Sequence, residues 1–181
     1  MRAVEKRNRS FDDPTREIDL SGINFSYAVV SDDADLRGVT FVGAALYHAR
    51  LRGADLRGVD ISYGNVSRAD LSGARLEKAD LFGTKLRGSI LRGADARGAM
   101  LPGSDLVLAQ LFRASLEGAH FAAWFGPTRR GDESWNPADF GDVNEPLRHA
   151  MLDGAFYDDT TRWPQQPQGE FNPDEWGLTR R

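Results

Sequence analysis

The chain reads as an all-β solenoid of square, parallel coils. Three observations lead there: a large apolar residue returns at every fifth position from Leu36 to Phe121, a small residue stands two places before most of them, and glycine often stands two places after. Fixed self-similarity at a short period marks a stack of units that bury their apolar sides only against neighbours. An α-helix does not fit, because a five-residue step walks round the helix instead of holding one face. One long strand does not fit either, since a period of two would throw successive central residues to opposite sides.

The central positions are Leu36, Phe41, Leu46, Leu51, Leu56, Ile61, Val66, Leu71, Leu76, Leu81, Leu86, Leu91, Leu101, Leu106, Leu111, Leu116 and Phe121, with Ala96 holding the same phase. These are the expected core. Within a unit, the central residue and the small one at minus two share a face, as strand alternation requires. Alanine fills that second position at Ala34, Ala44, Ala49, Ala54 and eight later units. The remaining residues must turn the chain, and glycine two after the centre permits the positive φ of a tight corner. If each corner turns about a quarter circle, four units close a coil of twenty residues, stacked on the next at about 4.8 Å. A buried leucine contributes about 1.5–3 kcal/mol, so this many central positions suffice to hold the stack.

Three regions follow. Residues 1–17 are charged, non-periodic and read as a flexible N-terminal segment or cap. Residues 18–121 form the coil, about five turns, opening loosely with the pairs Ile18/Leu20, Ile23/Phe25 and Ala28/Val30. Between Val30 and Leu36 the step is six, so a bulged corner is expected at Ser31–Asp33. Residues 122–181 change character: all four tryptophans and six of eight prolines lie there. Aromatics in such numbers pack on something, and a solenoid needs its open ends covered, so this region reads as a largely irregular, partly helical C-terminal cap. A short helix is predicted over 145–152, with Asn144 as N-cap and Pro146 in the first turn.

The phrase A-D-L-x-x, as in Ala34-Asp35-Leu36, Ala54-Asp55-Leu56, Ala69-Asp70-Leu71 and Ala79-Asp80-Leu81, resembles the pentapeptide-repeat family. The resemblance implies a right-handed quadrilateral β-helix and a bacterial source. Residues 155–164, followed by Phe171-Asn172-Pro173, are similar to a segment that often trails such arrays. Several members are thought to imitate DNA and bind type II topoisomerases. The resemblance therefore implies DNA gyrase or topoisomerase IV as partner, a role in quinolone resistance or self-resistance, and a homodimer formed through the C-terminal region. Members of that kind are more acidic and often carry phenylalanine at the centre, whereas leucine dominates here. A scaffold or adaptor for another bacterial protein is the alternative.

Composition narrows the chemistry. With no cysteine there is no disulfide, thiolate metal site or cysteine nucleophile. No apolar run approaches eighteen residues and the first thirty lack a secretory stretch, so a soluble, cytoplasmic protein without membrane contact is expected. Net charge is −4, yet residues 35–121 carry twelve Lys/Arg against nine Asp/Glu, while residues 122–181 carry six against eleven. His48, His120 and His149 show no metal-ligand spacing, and no nucleophile elbow or phosphate loop is present, so no catalytic, metal or cofactor site is expected.

Three surface features remain. Asp35, Asp55, Asp60, Asp70, Asp80, Asp95 and Asp105 precede central residues and face outward; they read either as a phosphate-mimicking surface or as a solvated, charge-balanced face. In steps of twenty, Asp35, Asp55, Arg75, Asp95 and Ser115 stack beside Arg37, Arg57, Glu77, Arg97 and Glu117, which breaks any continuous negative stripe. The arginines at 37, 50, 52, 57, 68, 87, 92, 97 and 113 are interleaved with acids and lack regular stacking aromatics, which argues against direct nucleic-acid binding. Finally, Phe82, Met100, Pro102, Val107, Leu108 and Phe112 all fall on the outer side of the late coils, an apolar patch expected to be covered by the C-terminal region or to meet a partner.

Overall fold

The computed structural model describes residues 18–121, 150–163, 165–166, 169–170 and 172–181. Residues 18–121 wind into a right-handed quadrilateral parallel β-helix. Pairing is sparse: β1 (Ile18–Asp19) and β2 (Val39–Thr40) form a two-residue ladder, and elsewhere single residues bridge to the residue one turn on. Each unit hydrogen-bonds in both directions. Leu71 N–H donates to the Ile90 carbonyl above (2.7 Å), and Asp70 N–H to the Ala49 carbonyl below (2.9 Å).

The stack has four faces, named here by their first regular central residue. The Leu36 face continues through Leu56, Leu76, Ala96 and Leu116; the Phe41 face through Ile61, Leu81, Leu101 and Phe121. The Leu46 face continues through Val66, Leu86 and Leu106; the Leu51 face through Leu71, Leu91 and Leu111. All these central side chains, and the small residues beside them, are buried in one continuous core. Ala96 is the small member of its column, and its neighbours Leu76 and Leu116 are fully buried.

At each corner the N–H three residues after the centre returns to the central carbonyl, as Ala44 does to Phe41 (2.9 Å). The residue before it lies at φ between 56° and 69°, the third position of a type II turn. Glycine takes this conformation freely; eight other residues adopt it here, at about 1–2 kcal/mol each. The amide just after the centre has no carbonyl above or below it in this pattern. The side chain just before the centre takes that role: Asp60, Asp70, Asp80 and Asp105 accept from Ser62, Ser72, Phe82 and Val107 N–H at 2.9–3.0 Å, and Asn65 from Ser67 at 3.2 Å. The aspartate of the repeat is therefore a turn-binding group as well as a surface charge.

The pairing offset is 21 below the Ser31–Asp33 corner (Val29 with Arg50) and 20 above it (Asp35 with Asp55), so the extra residue is absorbed there, with Asp33 at φ 62°. At the other end the offset jumps to 41: Gln110 pairs with Met151 and Ser115 with Phe156. Residues 150–163 thus add a further level, with Leu152 above Leu111 and Trp163 above Phe121. The helix predicted over 145–152 is not found at its described end. Ala150 and Leu152 are buried as a small-and-central pair, and Met151 N–H donates to the Ala109 carbonyl (2.8 Å), so burial and inter-coil bonding override helix propensity. Residues 144–149 lie outside the described residues.

The described C-terminal residues finish on this level. β3 (Phe156–Tyr157) pairs in parallel with β6 (Thr179–Arg180), placing Leu178 over the core, and β4 (Gln165–Gln166) pairs antiparallel with β5 (Gly169–Glu170). A 3-10 helix over Pro173–Trp176 is capped by the Asn172 side chain, which accepts from Asp174 N–H, and ends at Gly177 in the left-handed region. Among the described residues, no helix is long and apolar enough to cross a membrane.

Candidate interaction surface

The Leu36 face carries a ladder of opposite charges. Arg37 bridges Asp35 (3.0 Å) and Asp55 (3.2 Å), Arg57 binds Asp55 at 2.6 Å, and Arg75 stands 4.0 Å from it. Two levels up, Arg97 holds Asp95 and reaches Glu77 at 3.4 Å. At the top, Arg181 reaches Glu117 at 3.4 Å while its guanidinium covers the Phe156 ring. The sign swap at Arg75/Glu77 lets cations and acids interleave along the whole column.

The electrostatics follow. Hydrogen bonds from the Arg57 side chain hold the Asp55 carboxyl below the usual carboxylate range despite its burial. Burial pushes Asp95 up, but the Arg97 contacts outweigh it and the net shift is down. Both acids are committed to arginine, and both also accept from the backbone amide of that arginine. The acidic positions therefore do not present a free negative track on this face.

The predicted apolar patch divides between faces. Met100, Pro102 and Phe82 belong to the Phe41 face, where the Phe82 carbonyl accepts from Tyr63 N–H and the Phe82 ring meets Tyr63 edge-on at 5.4 Å. Pro102 is buried, Phe82 half-buried and Met100 exposed. Val107 and Leu108 lie on the Leu46 face and its edge, and Phe112 on the Leu51 face, where Arg92 sits over its ring at 5.2 Å. The twenty-residue turn separates residues 102 and 112 by two corners. Of the C-terminal region 122–181 expected to cover the patch, residues 150–163 and Leu178 stack on the end of the coil, and residues 122–149 lie outside the described residues.

A second cluster was not singled out from the sequence. Tyr27, His48, Arg68, Gly88 and Leu108 share the edge where the Leu46 face turns into the Leu51 face. Tyr27 stacks on His48 (5.3 Å, planes within 6°), Tyr47 meets both edge-on, and Arg68 donates to the Tyr47 hydroxyl at 3.4 Å. The signal in the sequence was a set of bulky residues two after the centre, where glycine is the rule. His120 stands apart between Met100 and Arg162, and His149 lies outside the described residues.

Residues 16–58, 49–88 and 89–122 match the sequence profile described as Pentapeptide repeats, in eight copies. No curated protein matches the chain. Among solved structures, a pentapeptide repeat protein from the Arabidopsis thaliana thylakoid lumen is similar at 26% identity over 68% of this chain and 80% of that one, with a TM-score of 0.44. A trypsin-treated variant of QnrB1, a plasmid-mediated fluoroquinolone resistance protein, is similar at 14% identity over 92% of each chain, with a TM-score of 0.53. A pentapeptide repeat protein from Nostoc is similar at 28% identity over 76% of this chain and 84% of that one, with a TM-score of 0.25. At 14% identity, the likeness to QnrB1 bears on the fold alone.

Proposed function

Given that the chain belongs to the pentapeptide-repeat family, we infer that it is a non-enzymatic interaction module presenting a rigid β-helical surface to a protein partner in the cytoplasm. The stacked coil supports this: outward side chains are held on a lattice by backbone bonds at every level, so binding orders little that is not already ordered.

Two partner classes fit such a module: a type II topoisomerase, as in quinolone resistance, or another protein served by an adaptor. One observation favours the adaptor. Asp35, Asp55 and Asp95, three of the seven aspartates that would stand for phosphates, are engaged by Arg37, Arg57 and Arg97 within their own column. A C-terminal homodimer has less support, because residues 150–163 and Leu178 extend and close the chain's own core.

The deciding experiment is a supercoiling assay with purified DNA gyrase, with and without a quinolone. The adaptor reading expects unchanged activity and unchanged quinolone sensitivity at micromolar protein. Inhibition or protection would move the assignment to the topoisomerase class.

A further inference from the structure

We propose that the edge between the Leu46 and Leu51 faces docks an acidic protein segment, an assignment that rests on reading the chain as an interaction module. The backbone is the first reason. At four of this edge's five levels a side chain occupies the left-handed corner: Tyr27 (φ 61°), His48 (56°), Arg68 (57°) and Leu108 (61°). The other edges use glycine at most levels, and Gly88 makes the same corner on this one, so the coil itself does not require the strain. Strained positions of this kind cluster at functional sites, and four of the eight among the described residues lie on this one edge.

The exposed chemistry is the second reason. Tyr27 is 67% exposed and Val29 on the same level 62%, and Leu108 at the upper end is 50% exposed. Charge is the third. Between residues 35 and 121 these two faces carry Arg50, Arg52, Arg68, Lys85, Arg87, Arg92 and Arg113 against Asp70 and Asp105, whereas the other two faces carry more acids than bases. The arginines of the Leu36 face are paired, but among the described residues no acid lies within ion-pair distance of Arg50, Arg52, Arg68 or Arg113.

Tyrosine and arginine around exposed apolar side chains is the composition of protein-binding hot spots. A nucleic acid would make no use of Leu108, and a chain of net charge −4 disfavours it. The edge from Tyr27 to Leu108 rises four levels, about 19 Å, enough for about six extended residues. The partner segment would set carboxylates against Arg50 and Arg68 and an apolar or aromatic residue against the Tyr27–His48 stack.

The test titrates the full chain with a glutamate–tyrosine copolymer, a lysine–tyrosine copolymer and oligothymidylate, using the wild type, Arg50→Glu/Arg68→Glu and His48→Gly/Leu108→Gly. The proposal expects binding of the acidic copolymer only, weakened about tenfold or more in both variants. The glycine pair should at the same time melt higher than wild type, which separates lost contact from lost fold. No binding of the acidic copolymer, binding indifferent to both variants, or oligothymidylate bound with the same dependence overturns it. In extracts of the source cells, p-benzoylphenylalanine placed at Leu108, Val42, Arg57 or Ser72 maps the contact. Protein crosslinks at Leu108 count for the edge only together with binding of the acidic copolymer that both variants weaken. Crosslinks only elsewhere overturn the edge and leave the module reading standing, and none at any position overturns both.

Discussion

Trp163 lies flat on Phe121, with ring centroids 5.2 Å apart and planes within 5°. The tryptophan occupies the central position of the added level, so its indole closes the apolar column that runs down through Leu101, Leu81 and Ile61. Trp163→Ala should lower stability by about 2 kcal/mol, less than for a fully buried tryptophan because the ring is half-exposed. Urea unfolding checks this; an unchanged midpoint would remove the capping role.

Asp158 fastens the same level. Its Oδ1 accepts from the Thr160 hydroxyl (2.7 Å), Thr160 N–H (2.9 Å) and Gly118 N–H (3.0 Å) of the level below. The Thr160 hydroxyl bond leads the effects that hold its carboxyl below the ordinary range. A lowered folded pKa stabilises above the unfolded value of about 3.9 and is lost as pH falls through the folded one. Asp158→Asn should therefore lower the melting midpoint at pH 7 by about 3 °C and flatten its decline below pH 4. An identical acid limb in wild type and variant would sink this account.

Leu71 stands mid-column on the Leu51 face, 1% exposed, between Leu51 and Leu91. Leu71→Arg places an unpaired charge in a core with no acid to meet it, at a cost of about 4 kcal/mol or more. The expected result is loss of the cooperative thermal transition followed by circular dichroism. A wild-type melt would contradict the core.

Lys78 holds a left-handed corner (φ 58°) that glycine holds on the levels directly below and above, at Gly58 and Gly98. Lys78→Gly should gain about 1 kcal/mol, and Gly58→Ala should lose about the same. The two denaturation midpoints moving in the same direction would refute the corner argument.

The core of the array was legible because period five with one phase leaves a single way to stack the units, and Leu36 through Phe121 all fall where that phase puts them. The added level was not. The interval from Gln110 to Met151 breaks the phase, and Pro146 after Asn144 looks like a helix start when no coil is waiting for Ala150 and Leu152. The task of the aspartates was hidden for another reason. Their outward position showed a charge, while the unpaired turn amide that each one serves becomes visible only once the inter-coil bonds are counted. The Tyr27–His48–Leu108 edge is marked in the sequence only by the glycine missing from its corners, a weaker signal than the repeat itself.

The jump in pairing offset from 20 to 41 also changes the loop that must close. Each level below Phe121 closes a loop of 20 or 21 residues onto the one before, so the array can zip from any starting point. The level at 150–163 must find its place across a doubled interval. Loop-closure entropy charges only about 0.6 kcal/mol for a doubling, so the level is held in place by its own contacts with the coil below, Trp163 on Phe121 and Asp158 on Gly118. The stretch between Phe121 and Ala150 can consequently lengthen or shorten over evolutionary time with little effect on the register above or below it.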